Sequence, residues 1–159
     1  MAIDIDGLDH EQYMREALRE AELALKRGER PIGAVIVHDG RIVGRGRAQH
    51  REHQSNIAHA ELNALLQAEQ CLCQHRHDCV IYSTVEPCVM CLGAIVMSNI
   101  DHVVFALPDH SIEPREMLKM DYVRRHIRTY QGGVLEAESA VLWERADPGE
   151  LRKLREGRV

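Results

Sequence analysis

Two short segments carry residues whose types and spacing fit a metal-dependent catalytic site. "HAE" at 59–61 supplies an imidazole and a carboxylate, and "PCVMC" at 87–91 supplies two thiols three positions apart. Zinc accepts imidazole nitrogen and thiolate sulfur together, and three protein ligands leave one tetrahedral position open, as in catalytic sites. We therefore take His59, Cys88 and Cys91 as candidate ligands of one zinc ion per chain. Glu61 is the candidate acid and base beside it.

These residues must be brought together at the starts of two helices. Residues 88–98 predict an apolar helix entered through Pro87, on which the two thiols share one face. The positive end of a helix lowers thiol pKa values, although buried cysteines on an apolar helix are also ordinary core residues. Residues 56–70 predict a second helix, with Ser55 and Asn56 as capping residues. Its entry turn is where a histidine and a glutamate two positions apart can share a site.

The composition predicts one globular domain over residues 1–159. The chain is 45% apolar with a net charge of −5, which gives no overall field for steering onto nucleic acid but leaves room for a local basic patch. Neither an export signal nor a membrane segment is visible in the sequence. Five cysteines make an odd number, so reduced thiols and a cytoplasmic location are expected.

The periodicity predicts strands alternating with helices, hence an α/β fold with a sheet between helical layers. The amphipathic helix after Asp9 is followed by a hairpin turning at Asp39-Gly40. The remaining predicted elements are the helix 56–70, strand 79–85, helix 88–98, strand 102–107, helix 114–126, strand 128–135 and a helical tail interrupted at Pro148. The segment "CLCQHRHDC" is predicted to be an exposed irregular loop. The alternative is a second metal site built from Cys71, Cys73, Cys79, His75 and His77.

Four motifs together resemble the cytidine deaminase-like superfamily of zinc deaminases: "PIGAVIVHDGRIVGRG", "AHAE", "TVEPCVMCLGA" and "VVFAL". They are most similar to the branch of tRNA-specific adenosine, cytosine and guanine deaminases. The resemblance implies a three-layer α/β/α sandwich with a mixed five-stranded sheet, and a homodimer or larger homo-oligomer. It also implies that the backbone N–H groups of Ala60 and Cys88 and the carbonyl of Glu86 orient the substrate, with Asp109 near the pocket.

The chemistry that these residues allow is hydrolytic deamination. A zinc-bound water titrates near neutral pH, so hydroxide can attack an sp² carbon that bears an amino group. One carboxylate, Glu61, can carry the proton to a ring nitrogen and then to the departing ammonia. We therefore expect a hydrolase acting on C–N bonds of cyclic amidines.

The substrate is predicted to be a nucleobase, a nucleoside or a related aminated heterocycle. Ala48 stands where many relatives carry a substrate-contacting asparagine, so that contact is either removed or replaced by Gln49. Residues 109–133 also differ from the loop of tRNA-editing relatives. Arg45, Arg47 and Arg51 would bind phosphate or form a solvated charged face. The alternatives are a tRNA-specific adenosine deaminase, and an inactive structural relative that the retained Glu61 argues against.

Overall fold

The computed structural model describes residues 3–158, which form seven α-helices and one five-stranded sheet. The strands are β1 (Gly33–His38), β2 (Arg41–Arg47), β3 (Cys79–Val85), β4 (His102–Leu107) and β5 (Thr129–Gln131). The helices are α1 (His10–Lys26), α2 (Ala60–Gln67), α3 (Glu69–His75), α4 (Val89–Met97), α5 (Asp121–His126), α6 (Glu136–Ala146) and α7 (Pro148–Glu156). Two 3₁₀ helices cover Arg76–Asp78 and Pro114–Lys119.

The sheet is mixed, as expected. Its order is β2-β1-β3-β4-β5, with β1 antiparallel to both neighbours and with the pairs β3/β4 and β4/β5 parallel. Asp39 and Gly40 turn the β1/β2 hairpin with positive φ angles of 47° and 71°. The run from Ala34 to Val37 is buried throughout, because helices cover both faces of the strand.

Alternate residues of the central strands face two different cores. Val35, Val80 and Val104 pack against α1 on one face, whereas Ile36, Ile81 and Val103 pack against α2, α3 and α4 on the other. The prediction of an α/β/α sandwich is therefore confirmed. Asp9 caps α1 by accepting a hydrogen bond from the backbone N–H of Gln12, as its position in the sequence indicated.

Several predicted boundaries were wrong. The helix predicted for 56–70 begins only at Ala60 with His59 as its N-cap, and it gives way to α3 at Ala68. Ser55 instead accepts a hydrogen bond from the backbone N–H of Ile57 in the preceding turn. The segment predicted as an irregular loop over 71–79 is largely α3 and the first 3₁₀ helix.

The later elements are shorter than the sequence suggested. The helix predicted for 114–126 is broken at Met120, whose extended ψ of 129° separates a 3₁₀ helix from α5. The strand predicted for 128–135 is reduced to β5. The interruption at Pro148 is confirmed, since Pro148 opens α7 next to its N-cap Asp147. Among the described residues, every helix is too short or too polar to cross a bilayer.

Candidate metal and catalytic site

His59 lies at the point where α2 begins, at one edge of the sheet. It is the N-cap residue with extended backbone angles, so its ring is not constrained to follow the helix. Gly46 of β2 allows α2 to approach closely, because a Cβ there would lie 2.0 Å from the carbonyl oxygen of Ala60. The Asn63 side chain adds a hydrogen bond of 2.9 Å to the Arg47 carbonyl. The start of α2 is thus fixed against the hairpin.

The two thiols lie at the start of α4. Cys88 is the N-cap rather than a residue of the first helical turn, and α4 begins at Val89. Cys91 follows one turn later and is fully buried. The two positions still share one side of the helix start, so the predicted juxtaposition holds although the boundary moved by one residue.

The three predicted ligand atoms have the spacing of a zinc site. His59 Nδ1 lies 3.6 Å from Cys88 Sγ and 3.5 Å from Cys91 Sγ. A tetrahedral ion with Zn–S of about 2.3 Å and Zn–N of about 2.0–2.1 Å would separate sulfur from nitrogen by about 3.6 Å. The donor set and its geometry therefore fit one zinc ion.

The thiols and the imidazole influence one another's protonation. Hydrogen bonds from Cys91 and His59 lower the pKa of Cys88 to about 4. The hydrogen bond to Cys88 and burial raise the pKa of Cys91, while the bond to Cys88 raises the pKa of His59. Cys88 is therefore held as a thiolate, which is the form that binds metal.

Glu61 lies in the first turn of α2 with its carboxylate buried. It accepts a hydrogen bond of 2.9 Å from the hydroxyl of Ser83 on β3. Burial raises the pKa of Glu61, because the charged form loses its hydration. A carboxyl group whose pKa is raised in this way exchanges a proton more readily at neutral pH than an exposed one.

These residues open into one cavity of about 130 Å³. His59, Glu61 and Cys88 line it together with the three residues predicted to contact substrate, which are Ala60, Glu86 and Asp109. The side chains of two of those three are engaged elsewhere. The Asp109 carboxylate accepts hydrogen bonds from the backbone N–H groups of Ser111 and Ile112.

The Glu86 carboxylate has three partners. It accepts hydrogen bonds from the Asp109 backbone N–H at 3.0 Å, from Arg115 Nη2 at 3.1 Å and from Tyr130 Oη at 2.7 Å. The side chain is fully buried. The Glu86 side chain therefore links the segment before α4 to the segment after β4 and to β5. Because this side chain is occupied, Glu86 can contact a substrate only through its backbone.

The rest of the cavity wall was not predicted from the sequence. His50 lines the cavity with its ring 4.9 Å from that of His59, and burial lowers its pKa. Trp143 of α6 and Leu154 of α7 close another side. Trp143 is buried with Leu154 in an apolar cluster. Its place in the wall depends on the packing of α6 against the sheet, which no local pattern reveals.

Two of the three arginines near the hairpin, Arg45 and Arg47, are paired with carboxylates of the chain. Arg45 contacts Glu16 at 2.8 Å and Glu20 at 3.7 Å. Arg47 contacts Glu20 at 3.9 Å and Glu52 at 3.8 Å. These contacts favour a charged face over a phosphate site for Arg45 and Arg47.

The positions of Ala48 and Gln49 bear on the substrate contact that an asparagine makes in many relatives. Ala48 is buried and lines the cavity, whereas the Gln49 side chain turns away from it to bond Asn63 and Glu52. Between the two possibilities raised by the sequence, the structure favours removal of the contact over its replacement by Gln49.

Comparison with known proteins identifies the family. Residues 8–107 match the cytidine and deoxycytidylate deaminase zinc-binding region. A tRNA-specific adenosine deaminase of Streptococcus pyogenes serotype M1 is 37% identical over 80% of this chain and 77% of its own length. A Bacillus subtilis protein of the same description is 43% identical, over 62% of each chain.

Solved structures agree with this assignment. One from a study of A-to-I editing by tRNA:A34 deaminases has a TM-score of 0.75 and 32% identity, covering 82% of this chain and 98% of the other. A guanine deaminase of Bacillus subtilis has a TM-score of 0.58 and 33% identity over 72% of each chain. The chain belongs to the cytidine and deoxycytidylate deaminase family and is a zinc-dependent hydrolytic deaminase that acts on C–N bonds. The family match ends at residue 107, so Asp109, α6 and α7 lie outside it.

Proposed function

We propose that this protein removes an amino group, as ammonia, from a small aminated heterocycle of the nucleobase class. In this proposal His59, Cys88 and Cys91 hold one zinc ion and Glu61 is the acid and base. The observation that carries the proposal is one cavity that is lined by Glu61, by His59 and Cys88 of the ligand group, and by residues of the C-terminal helices α6 and α7.

Each residue has a distinct task in this reaction. When bound, zinc supplies a Lewis acid that lowers the pKa of a coordinated water towards 7. Glu61 takes a proton from the attacking water and passes it to the ring nitrogen. It then takes the proton of the new hydroxyl and passes it to the leaving amine, as the C–N bond breaks and the carbonyl forms. Ser83 holds the Glu61 carboxylate in place through its hydrogen bond. The backbone N–H groups of Ala60 and Cys88 and the Glu86 carbonyl orient the ring.

The dimensions and walls of the cavity support a small substrate. Its volume of about 130 Å³ is well below the ~300–1,000 Å³ of pockets that take drug-sized ligands, which suits a single small heterocycle. Glu150, Leu154 and Arg158, which lie on α7 or just beyond it, contribute to the wall. A polymer attached to the heterocycle would have to extend past this wall to reach solvent, and the wall leaves it less room to do so.

A second candidate is deamination of an adenosine in a tRNA anticodon loop. It is favoured by the relatives described as tRNA-specific adenosine deaminases. The description of the Bacillus subtilis relative carries limited weight for this chain, because the match spans only 62% of the length of that relative. The base would have to be flipped out of its stack to reach Glu61.

Ammonia release from zinc-replete protein tests the proposal. The panel comprises free bases, nucleosides, monophosphates, pterins, triazines and an anticodon stem-loop, with Glu61→Gln as the inactive control. Release from a small heterocycle is the expected result, and release from the stem-loop alone would establish the second candidate. Absence of release from every substrate would favour an inactive relative.

Binding of an anticodon stem-loop provides a check that does not depend on knowing the small substrate. If tRNA is the substrate, the stem-loop should bind at low salt with an affinity that falls steeply as the salt concentration rises. If the substrate is small, the stem-loop should not bind even at low salt.

We also propose that residues 1–159 form a single deaminase domain that acts in the cytoplasm as a homodimer or larger homo-oligomer. All five cysteines are free thiols, which suits a reducing compartment. Leu66 and Met97 are 68% and 70% exposed and line one groove that is formed by α2, α3 and the end of α4. Light scattering should report an oligomer that Leu66→Glu dissociates, and a monomeric wild type would contradict the assembly.

A further inference from the structure

A second group of potential metal ligands lies outside the catalytic cavity. It consists of His38 at the end of β1, His75 at the end of α3 and Asp78 at the end of the first 3₁₀ helix. One ring nitrogen of each histidine and one carboxylate oxygen of Asp78 all lie within 4.8 Å of one another. The two imidazole rings are stacked, with centroids 4.4 Å apart and planes inclined by 22°.

The fold brings these three residues together through the antiparallel pairing of β1 with β3. In that register His38 stands opposite Cys79, so Asp78 comes next to the strand end that carries His38. The Cys79 thiol donates a hydrogen bond of 3.2 Å to the His75 carbonyl, which ties the end of α3 to the start of β3. His38 and His75 therefore lie on backbone segments that are held by hydrogen bonds.

This group is far from the deaminase site. Cys79 begins β3 and Glu86 follows its end, so the two sites lie at opposite ends of a seven-residue strand. At about 3.3 Å per residue, that separation is about 20 Å. A metal held here would not contact the substrate.

We propose that His38, His75 and Asp78 bind a divalent transition-metal ion, with zinc as the best match. Two imidazoles and one carboxylate are donors that zinc accepts, and the remaining coordination position would be filled by water. His75 is exposed while His38 and Asp78 are partly buried, so the ion can enter from solvent onto a partly fixed frame. The bound ion would fasten the β1/β2 hairpin to the connection between α3 and β3.

The ligand set differs from the second site that the sequence suggested. Among the five residues considered there, His75 alone belongs to the group that the structure assembles. His77 is directed elsewhere, since its Nδ1 lies 3.1 Å from a carboxylate oxygen of Asp101. His38 could not be anticipated because it is far from the others in the sequence.

Zinc stoichiometry tests this proposal on the untagged, zinc-replete protein. After equilibrium dialysis against buffered Zn²⁺ up to sub-millimolar free concentration, atomic emission should count two zinc ions per wild-type chain. His75→Gln and His38→Gln should each bind one. The matched control His77→Gln, which changes a neighbouring exposed histidine outside the group, should bind two.

Two further measurements distinguish the proposed metal site from the deaminase site. Added Zn²⁺ should raise the thermal midpoint of the wild type and of His77→Gln but not that of His75→Gln. Ammonia release from the substrate that the panel identifies should be the same in His75→Gln as in the wild type. Saturation of the wild type at one zinc ion, or retention of the second ion by His75→Gln, would overturn the proposal. Loss of the ion bound near Glu61 would instead count against the proposed deaminase site.

Discussion

Replacement of Glu86 with alanine removes a fully buried carboxylate that three partners share. The Asp109 backbone N–H and the Tyr130 hydroxyl are the partners that would lose their acceptor inside the protein. The third partner, Arg115, is 46% exposed and can be hydrated instead. The cost should therefore come from one buried donor, the Asp109 N–H, and one half-buried donor, the Tyr130 hydroxyl, together with the space left by the side chain.

The size of the effect follows from these contacts. A buried donor left without a partner costs about 1–3 kcal/mol, so the two donors together with the lost packing cost about 4 kcal/mol in the free energy of unfolding. Tyr130→Phe removes only one hydrogen bond to the carboxylate and should cost about 2 kcal/mol. For a chain of this size, 1 kcal/mol corresponds to about 2–4 °C in the thermal midpoint, which separates the two variants by about 4–8 °C.

Urea unfolding at a fixed free Zn²⁺ concentration measures both variants against the wild type. Zinc must be held constant because metal binding contributes to the apparent stability. The reasoning requires Glu86→Ala to be clearly less stable than Tyr130→Phe. If the two variants unfold at the same urea concentration, the Glu86 carboxylate does not hold the three segments together in the way described.

Three further predictions concern the metal, Glu61 and the packing of α2. Glu61→Gln should lower kcat by roughly 10²–10⁴ while one zinc ion stays bound near it, and loss of that ion would mean that its role was misassigned. Chelation of zinc should abolish ammonia release and lower the thermal midpoint, with both restored by Zn²⁺; unchanged activity would exclude a zinc mechanism. Gly46→Ala should cost about 1–3 kcal/mol or more, because the new Cβ meets the α2 backbone at 2.0 Å. Gly93→Ala is its control: apart from its chain neighbours and the backbone of its own helix, no described atom lies within 4 Å of that Cβ, and alanine should stabilise α4 by up to about 1 kcal/mol. Equal stabilities for the two alanine variants would refute the close approach of α2.

The sequence was a good guide wherever a local pattern carries the information. Asp9 indicated where α1 begins, and Asp39-Gly40 indicated the turn of the β1/β2 hairpin. The start of α2 was less predictable. Ser55 has the right chemistry for an N-cap, but the chain makes one more turn before His59, and no residue type marks that choice.

The second half of the chain illustrates a different limit. Residues 114–126 read as one helix, yet Met120 is extended and divides the segment into a 3₁₀ helix and α5, and both parts pack into one apolar cluster with α4. The segment from Cys71 to Cys79 was expected to be irregular from its composition, and it is mostly helical because Leu72 packs into the main core. Tertiary packing overrides local preference in both places.

The sequence by itself determined the donor types, the spacing of His59, Glu61, Cys88 and Cys91, and the order of strands and helices. These are local properties, since residues two or three positions apart at a helix start must be neighbours in space. The tertiary structure alone decided which side chains close the cavity, which partners neutralise Glu86 and Arg45, and which residues join His38. Each of those contacts depends on strand register and helix packing between residues far apart in the chain, and one sequence carries no direct record of either.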